Sequence, residues 1–397
     1  MKWEYVRADE FCISVRDGTH DTPKQTESGY KLVTGKHIKD GQIDPTDAYY
    51  ISEQDYIAIN ERSLVEQWDV LMSMIGTVGE AAVVKNIPNY AIKNVALFKC
   101  GGSELKGRWI NYYLHSPNAQ GHMSGNQKGS SQQFLSLKQL RGMLVPITDE
   151  LYMQRVIDVL STYDNLIENN QKQIKLLEEA AQRLYKEWFV DLRFPGHETT
   201  PVVDGVPEGW EQQSLGRIAS VLRRGISPKY DDNGKYFVIS QKCIRRSIMD
   251  ISEVRRESRD YSLELNLQDK DTVICSTGTG TLGRVGQVFG VYQNTTFDSH
   301  VTLVRTKEYQ NFIYQSIKYQ QEFLMGMGRG STNQQELYRG VIEGLLILVP
   351  TQEILNKADN ILSAIHDKIT ALNSQIGLLV EARDRLLPKL MSGEIEV

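Results

Sequence analysis

Three short runs in this 397-residue chain contain residue types that elsewhere perform reactions. Gly278-Thr-Gly-Thr-Leu-Gly283 has the glycine content of a phosphate-cradling loop, and a shorter version stands at Gly76-Thr-Val-Gly79. A nucleotide-binding loop also needs a following Gly-Lys-Ser/Thr, or glycines that open a helix after a strand. Neither context is present, so a tight β-turn is the better reading. Asp298-Ser299-His300 contains the residue types of a hydrolytic triad. Neighbours on a strand point to opposite faces, however, and do not converge. The four cysteines (Cys12, Cys100, Cys243 and Cys275) are far apart, with no Cys-x-x-Cys spacing. That argues against a metal site or disulfide framework and fits a reducing cytoplasm. With no carboxylate cluster, metal-ligand spacing or cofactor loop to assign, the chain is expected to be non-catalytic, to bind no cofactor and to carry no metal.

The remaining chemistry is hydrogen bonding and charge. One polar segment occurs twice. The first copy is Asn126-Gln127-Lys128-Gly129-Ser130-Ser131-Gln132-Gln133, and the second contains Arg329, Ser331, Thr332 and Asn333 within Gly328 to Glu336. Asn, Gln and Arg can pair with adenine or guanine edges, while Ser, Thr and backbone amides hold phosphates. The plain alternative is a capped turn joining core elements. Further basic candidates are Arg223, Arg224, Lys229, Lys242, Arg245 and Arg246, with Tyr230 as a stacking group, and Lys24, Lys36 and His37 nearer the N-terminus. Any of these could equally be ordinary solvated surface. The net charge of −5 hides a local imbalance: Arg217 to Arg259 holds eleven Lys/Arg against five Asp/Glu. Met1 to Thr148 holds sixteen of each. The second region is therefore expected to make its own phosphate contacts, and the first to rely on a neighbour.

These residues sit in a chain that repeats itself. Trp3-Glu4 matches Trp210-Glu211, and Gly18 matches Gly225. Ile75-Gly-Thr-Val-Gly79 matches Thr279-Gly-Thr-Leu-Gly283, and Val95-Ala-Leu-Phe-Lys99 resembles Val301-Thr-Leu-Val-Arg305. Leu144-Val-Pro146 recurs as Leu348-Val-Pro350. Gln173-Ile174, Leu176-Leu177, Glu179-Ala180 and Arg183-Leu184 all recur 202 positions later. The order is preserved and the offset drifts slowly, which coincidence does not produce.

Each copy has a mixed part and a helical part. Short β-rich runs (Tyr236–Ser240, Asp271–Cys275, His300–Val304) alternate with Gly, Asp and Asn punctuation. Apolar residues then fall at alternating steps of four and three, a coiled-coil period. The first seam contains Leu160, Ile167, Ile174, Leu177 and Leu184, and the second contains Leu362, Ile369, Ile376, Leu379 and Leu386. Asn170 interrupts the first seam and Arg383 the second. Thr148 and Thr351, each after a proline, are placed to cap the two helices.

The expected fold class is α+β: two mixed α/β domains separated by two long helices that form an antiparallel coiled coil, with a pseudo-twofold internal repeat. Domain boundaries are read as 1–148, 149–194 (first helix), 195–350 (a Pro/Gly/Thr-rich linker and the second mixed domain) and 351–397 (second helix). A rod of about 40 residues would span roughly 60 Å and hold two unlike heads apart, a geometry suited to a divided site on a double helix. The longest apolar stretch, Gly344 to Val349, is too short to cross a bilayer. The N-terminus lacks a secretory pattern, so a cytoplasmic location and no membrane partner are expected.

This arrangement resembles the specificity subunits of type I restriction–modification systems over nearly the whole chain. The matching features in the first copy are Asp17-Gly-Thr-His-Asp-Thr-Pro23, Gly76 to Gly79, Gly129 to Gln133 and Val145-Pro146. In the second they are Val206 to Trp210, Arg224 to Tyr230, Gly280 to Arg284, Asp298 to Val301 and Gly330-Ser331. The resemblance implies two target-recognition domains that read double-stranded DNA at a bipartite, asymmetric site. It also implies helices that dock two methyltransferase subunits, which bring S-adenosylmethionine. Restriction subunits, which use ATP and Mg²⁺ to translocate and cut DNA, join that core. A scaffold that binds only proteins, a stand-alone nuclease or methyltransferase, and a subunit of a methylation-only system are the alternatives.

Overall fold

The computed structural model describes residues 2–76, 78–126, 134–244, 249, 253–278, 280–328 and 335–397. The chain divides into two compact units, residues 1–167 with 378–397, and residues 168–377.

The first unit is built on a four-stranded antiparallel sheet ordered Ser14–Asp17, Val95–Lys99, Val70–Ser73, Ala81–Val83. Every residue of the two central strands is buried, because both faces are covered. Val70, Met72, Ala96 and Phe98 pack with Trp109 and Ile110 of the helix Glu104–His115. Leu71, Val95 and Leu97 alternate to the other face and meet Val33 and Ile92 of a small sheet ordered Tyr50–Ile51, Tyr30–Val33, Tyr90–Ile92. That period of two is what a strand buried on both faces requires. An antiparallel pair, Glu4–Arg7 with Leu144–Ile147, ties the N-terminus to the segment that leads into the first long helix.

The second unit repeats these three sheets in the same strand order. Its sheet is ordered Val221–Arg224, Val301–Arg305, Thr272–Cys275, Val285–Gln287. A small sheet follows the order Arg255–Glu257, Tyr236–Ile239, Thr295–Phe297, and its second pair is parallel, like the second pair of the small sheet in the first unit. Glu211–Ser214 pairs with Leu346–Val349. Both central sheets are locked at one end by a buried ion pair: Lys99 Nζ to Asp69 Oδ2 at 2.7 Å in the first unit, and a two-pronged Arg305–Asp271 contact at 2.7 and 2.6 Å in the second.

The long helices span Glu150–Tyr185 and Gln352–Ser392. Asp149, not Thr148, caps the first: its Oδ1 accepts from the N–H groups of Leu151 and Tyr152 at 3.0 and 3.2 Å. Thr148 instead donates to Lys2 O, because the helix begins one residue later than the apolar pattern suggests. Thr351 stands at the start of the second helix, and its carbonyl accepts from Leu355 N–H.

The two helices pack antiparallel in each unit. In the first, the Tyr152 hydroxyl donates to Leu390 O at 3.0 Å, and Arg383 pairs with Asp164 at 2.9 Å. In the second, Asn170 Nδ2 donates to Gln375 Oε1 at 3.3 Å, and Ile174 packs with Ile369 and Leu372. Leu160, Ile167, Ile174, Leu362 and Ile369 are buried along the seam, while Leu177, Leu184, Ile376, Leu379 and Leu386 are half-buried. Arg383 is held charged: Asp164, which also accepts from the Tyr112 hydroxyl at 2.7 Å, and Asp384 raise it against the opposing effect of its burial. All four cysteines are buried free thiols. No helix among the described residues is long and apolar enough to cross a membrane.

Candidate nucleic-acid interface

The motifs scattered along each copy meet at one end of its central sheet, opposite the buried ion pair. In the second unit Val221–Arg224 ends there, Val301–Arg305 begins there, and Thr272–Cys275 runs out into the Gly-rich loop. Gly225 passes so close to the neighbouring strand that a Cβ would lie 2.2 Å from Phe297 O, which is why only glycine fits. Gly18 does the same in the first unit, 2.3 Å from Ile92 O. Each crossing makes one parallel bridge, Thr19 to Lys93 and Ile226 to Asp298. The Gly-rich loop is a turn with left-handed glycines, φ +102° at Gly278 and +76° at Gly283, as a tight β-turn requires. Ile75 and Thr277, at the root of the two loops, bridge to Phe134 and Glu336 beside the two recurrent polar segments. Strand register thus makes Ile75 the counterpart of Thr277 and not of Thr279, its match in the sequence, because the second loop is two residues longer.

At this end the two units differ in chemistry. Asp17, the last residue of its strand, pairs with Arg62 on one oxygen and faces His20 Nε2 at 3.1 Å on the other. His20 Nδ1 lies 2.8 Å from Asn94 Oδ1. The equivalent strand end in the second unit is Arg224, which pairs with Glu336 and donates to Ser276 O at 3.3 Å. Beside it, His300 Nδ1 lies 2.5 Å from Thr277 Oγ1, and Thr277 Oγ1 lies 3.3 Å from Gln241 Oε1. Asp298 and His300 do not form a triad. Both lie outside regular strands, and Asp298 Oδ1 accepts from the His300 backbone N–H at 2.9 Å rather than from the ring. Burial pushes the Asp298 carboxyl above its ordinary range, against that N–H.

The sequence-derived contacts fall into three groups. Lys24, Lys36, Arg223, Lys229, Tyr230 and Lys242 are exposed. Lys36 and Lys242 occupy matching 3₁₀ turns, Gly35–His37 and Gln241–Cys243, beside the loop end. Tyr230 carries the Arg255 guanidinium 3.5 Å above its ring, a ready cation–π pair. His37 and Arg224 are committed internally. His37 is buried, and its Nδ1 accepts the Thr34 N–H at 2.8 Å. Burial and then Lys36 push its pKa below the ordinary value, which keeps the ring neutral. Asn126 ends the helix Pro117–Asn126. Gln127, Lys128, Ser130, Ser131, Arg245, Arg246, Arg329, Ser331, Thr332 and Asn333 lie outside the described residues. Arg62, Gln241 and Thr277, which also gather at this end, were not among the sequence-derived candidates, and His20 and His300 stood there only within motifs, with no contact role assigned. One signal pointed to His300: it stands 206 positions after Asn94, at the same step before a matching strand.

Residues 207–382 match the family described as type I restriction modification DNA specificity domain. The chain is 26% identical to the type I restriction enzyme MjaIX specificity subunit of Methanocaldococcus jannaschii, over 87% of this chain and 84% of that one. It is 22% identical to the type I restriction enzyme HindI specificity subunit of Haemophilus influenzae, over 63% and 68%. The type I restriction–modification S subunit from M. genitalium shares the fold, with a TM-score of 0.53 and 15% identity over 98% of this chain and 96% of that one. The plan is repeated in two units, residues 207–382 carry the match to the type I restriction modification DNA specificity domain, and along most of its length the chain is similar to the specificity subunits of type I restriction–modification systems.

Proposed function

We propose that the chain reads a bipartite, asymmetric duplex site, one half-site per unit, and directs partner subunits to it. The supporting observation is a shared scaffold that ends in unlike side chains. The strand order recurs in both units, yet Asp17 stands where the other unit has Arg224, Gly35 where it has Gln241, and Asn94 where it has His300. Equal scaffolds that carry unlike residues at the loop end are suited to reading unequal half-sites. Half-sites of a two-headed reader lie about one helical turn, roughly 34 Å, or more apart. The paired long helices are the elements suited to fixing that gap.

The partners fitted to this role are two adenine methyltransferase subunits, joined in a full system by restriction subunits that translocate DNA. S-adenosylmethionine, ATP and Mg²⁺ belong to those partners in this proposal, and the complex works in the cytoplasm. Expressing the chain with its methyltransferase in a host that lacks other adenine methylation, and mapping the methylated adenines, tests it. One motif with two unlike halves and a constant gap is expected. An unbroken motif, or none, would refute the proposal. The purified chain supplied with Mg²⁺, ATP and S-adenosylmethionine should leave DNA uncut and unmethylated.

A further inference from the structure

Gln241, Thr277 and His300, from three different segments, meet at the Gly-rich loop of the second unit. We infer that they form a base-reading triplet in which His300 Nε2 accepts a hydrogen bond from the exocyclic amino group of an adenine or cytosine in one half-site. This assignment rests on the proposal that each unit reads a half-site, and adds the residue and the base chemistry.

Thr277 has a single hydroxyl proton, and it donates to Gln241 Oε1, an oxygen that can only accept. The hydroxyl lone pairs then face His300 Nδ1 at 2.5 Å, so Nδ1 carries the hydrogen of that contact. In the neutral ring Nε2 is then a bare acceptor, and it takes no hydrogen bond among the described residues. The ring is exposed, yet its backbone is pinned twice. Its N–H donates to buried Asp298 at 2.9 Å, and its carbonyl accepts from Ser276 N–H at 2.7 Å. Holding an exposed side chain this firmly does little for the core. It does lower the ordering cost of a contact made on binding.

In the major groove only adenine N6 and cytosine N4 offer hydrogens, while guanine N7 and O6 and thymine O4 accept. A fixed acceptor therefore reports which strand carries the amino group. The first unit has Gly35, Ile75 and Asn94 at the equivalent positions, so the effect is confined to one half-site.

The test uses the full chain with its methyltransferase subunits, a randomised duplex library, and the variants His300→Ala and Thr277→Val. The wild type should enrich two half-sites. Both variants should lose discrimination at one position of the same half-site, by about five- to 150-fold, with the other half-site intact. A duplex whose adenine or cytosine at that position lacks only its amino group should weaken wild-type binding and add nothing to the loss in His300→Ala. Unchanged selection by either variant, uniform weakening on all sequences, or a melting transition lost with the ring would each overturn the triplet. A wild type that enriches no half-site would refute the underlying proposal instead.

Discussion

Two buried ion pairs, Lys99–Asp69 and Arg305–Asp271, stand at the same strand ends in the two units. Each joins a central strand to its neighbour at the end away from the loops, so each anchors the platform from which the loops project. Removing one partner strands the other charge in a low-dielectric site, which costs about 3–5 kcal/mol. Asp271→Ala should therefore lower the melting temperature of the second unit by several degrees, whereas Glu4→Ala, which breaks the exposed Lys2–Glu4 pair, should shift stability by no more than about 0.5 kcal/mol. Equal effects in a thermal melt would contradict this division. At this scale the sequence was only partly legible. Residue type marked Arg224 as a nucleic-acid contact, but its partner Glu336 lies 112 positions away, and nothing local announces such a pair. His37 looked like a surface base and is a turn residue that binds its own backbone. His300 was set aside by treating Asp298 to Val304 as continuous strand, whereas the strand begins at Val301.

The elements were read more easily, because a heptad seam is a local pattern. Alternating steps of four and three gave both long helices and their mutual pairing. The caps were harder: a helix start shifted by one residue moved the role from Thr148 to Asp149. The two interruptions of the seam turn out to be paired polar contacts. Arg383 meets Asp164, and Asn170, only 7% exposed, meets Gln375. A buried Asn in an apolar seam lowers stability while favouring one register. Asn170→Leu should thus stabilise the helix pair by about 1 kcal/mol and broaden its register. Spin labels on exposed Lys172 and Ser374 would report this as a wider distance distribution. An unchanged, narrow distribution would remove the registry role from Asn170.

For the whole molecule, duplication was the clearest message of the sequence, since matches spaced about 202 to 207 positions apart predicted two copies of one strand order. What each copy reads was not legible, because the side chains at the loop end converge from segments that are distant in sequence, and DNA shape also contributes to readout. Binding to duplex should weaken steeply with salt, the logarithm of affinity falling by about 0.9 per phosphate contacted for each tenfold rise. A salt-independent gel shift would favour a protein-binding scaffold. Inserting one heptad into either long helix should lengthen the gap between half-sites or abolish activity, and an unchanged gap would remove the spacer role. The most direct measurement exchanges residues 1–145 for the equivalent module of a relative with a different target, then maps the methylated adenines. Two independent readers predict that one half of the motif changes and the other half keeps its sequence; a motif altered in both halves, or in neither, would contradict that.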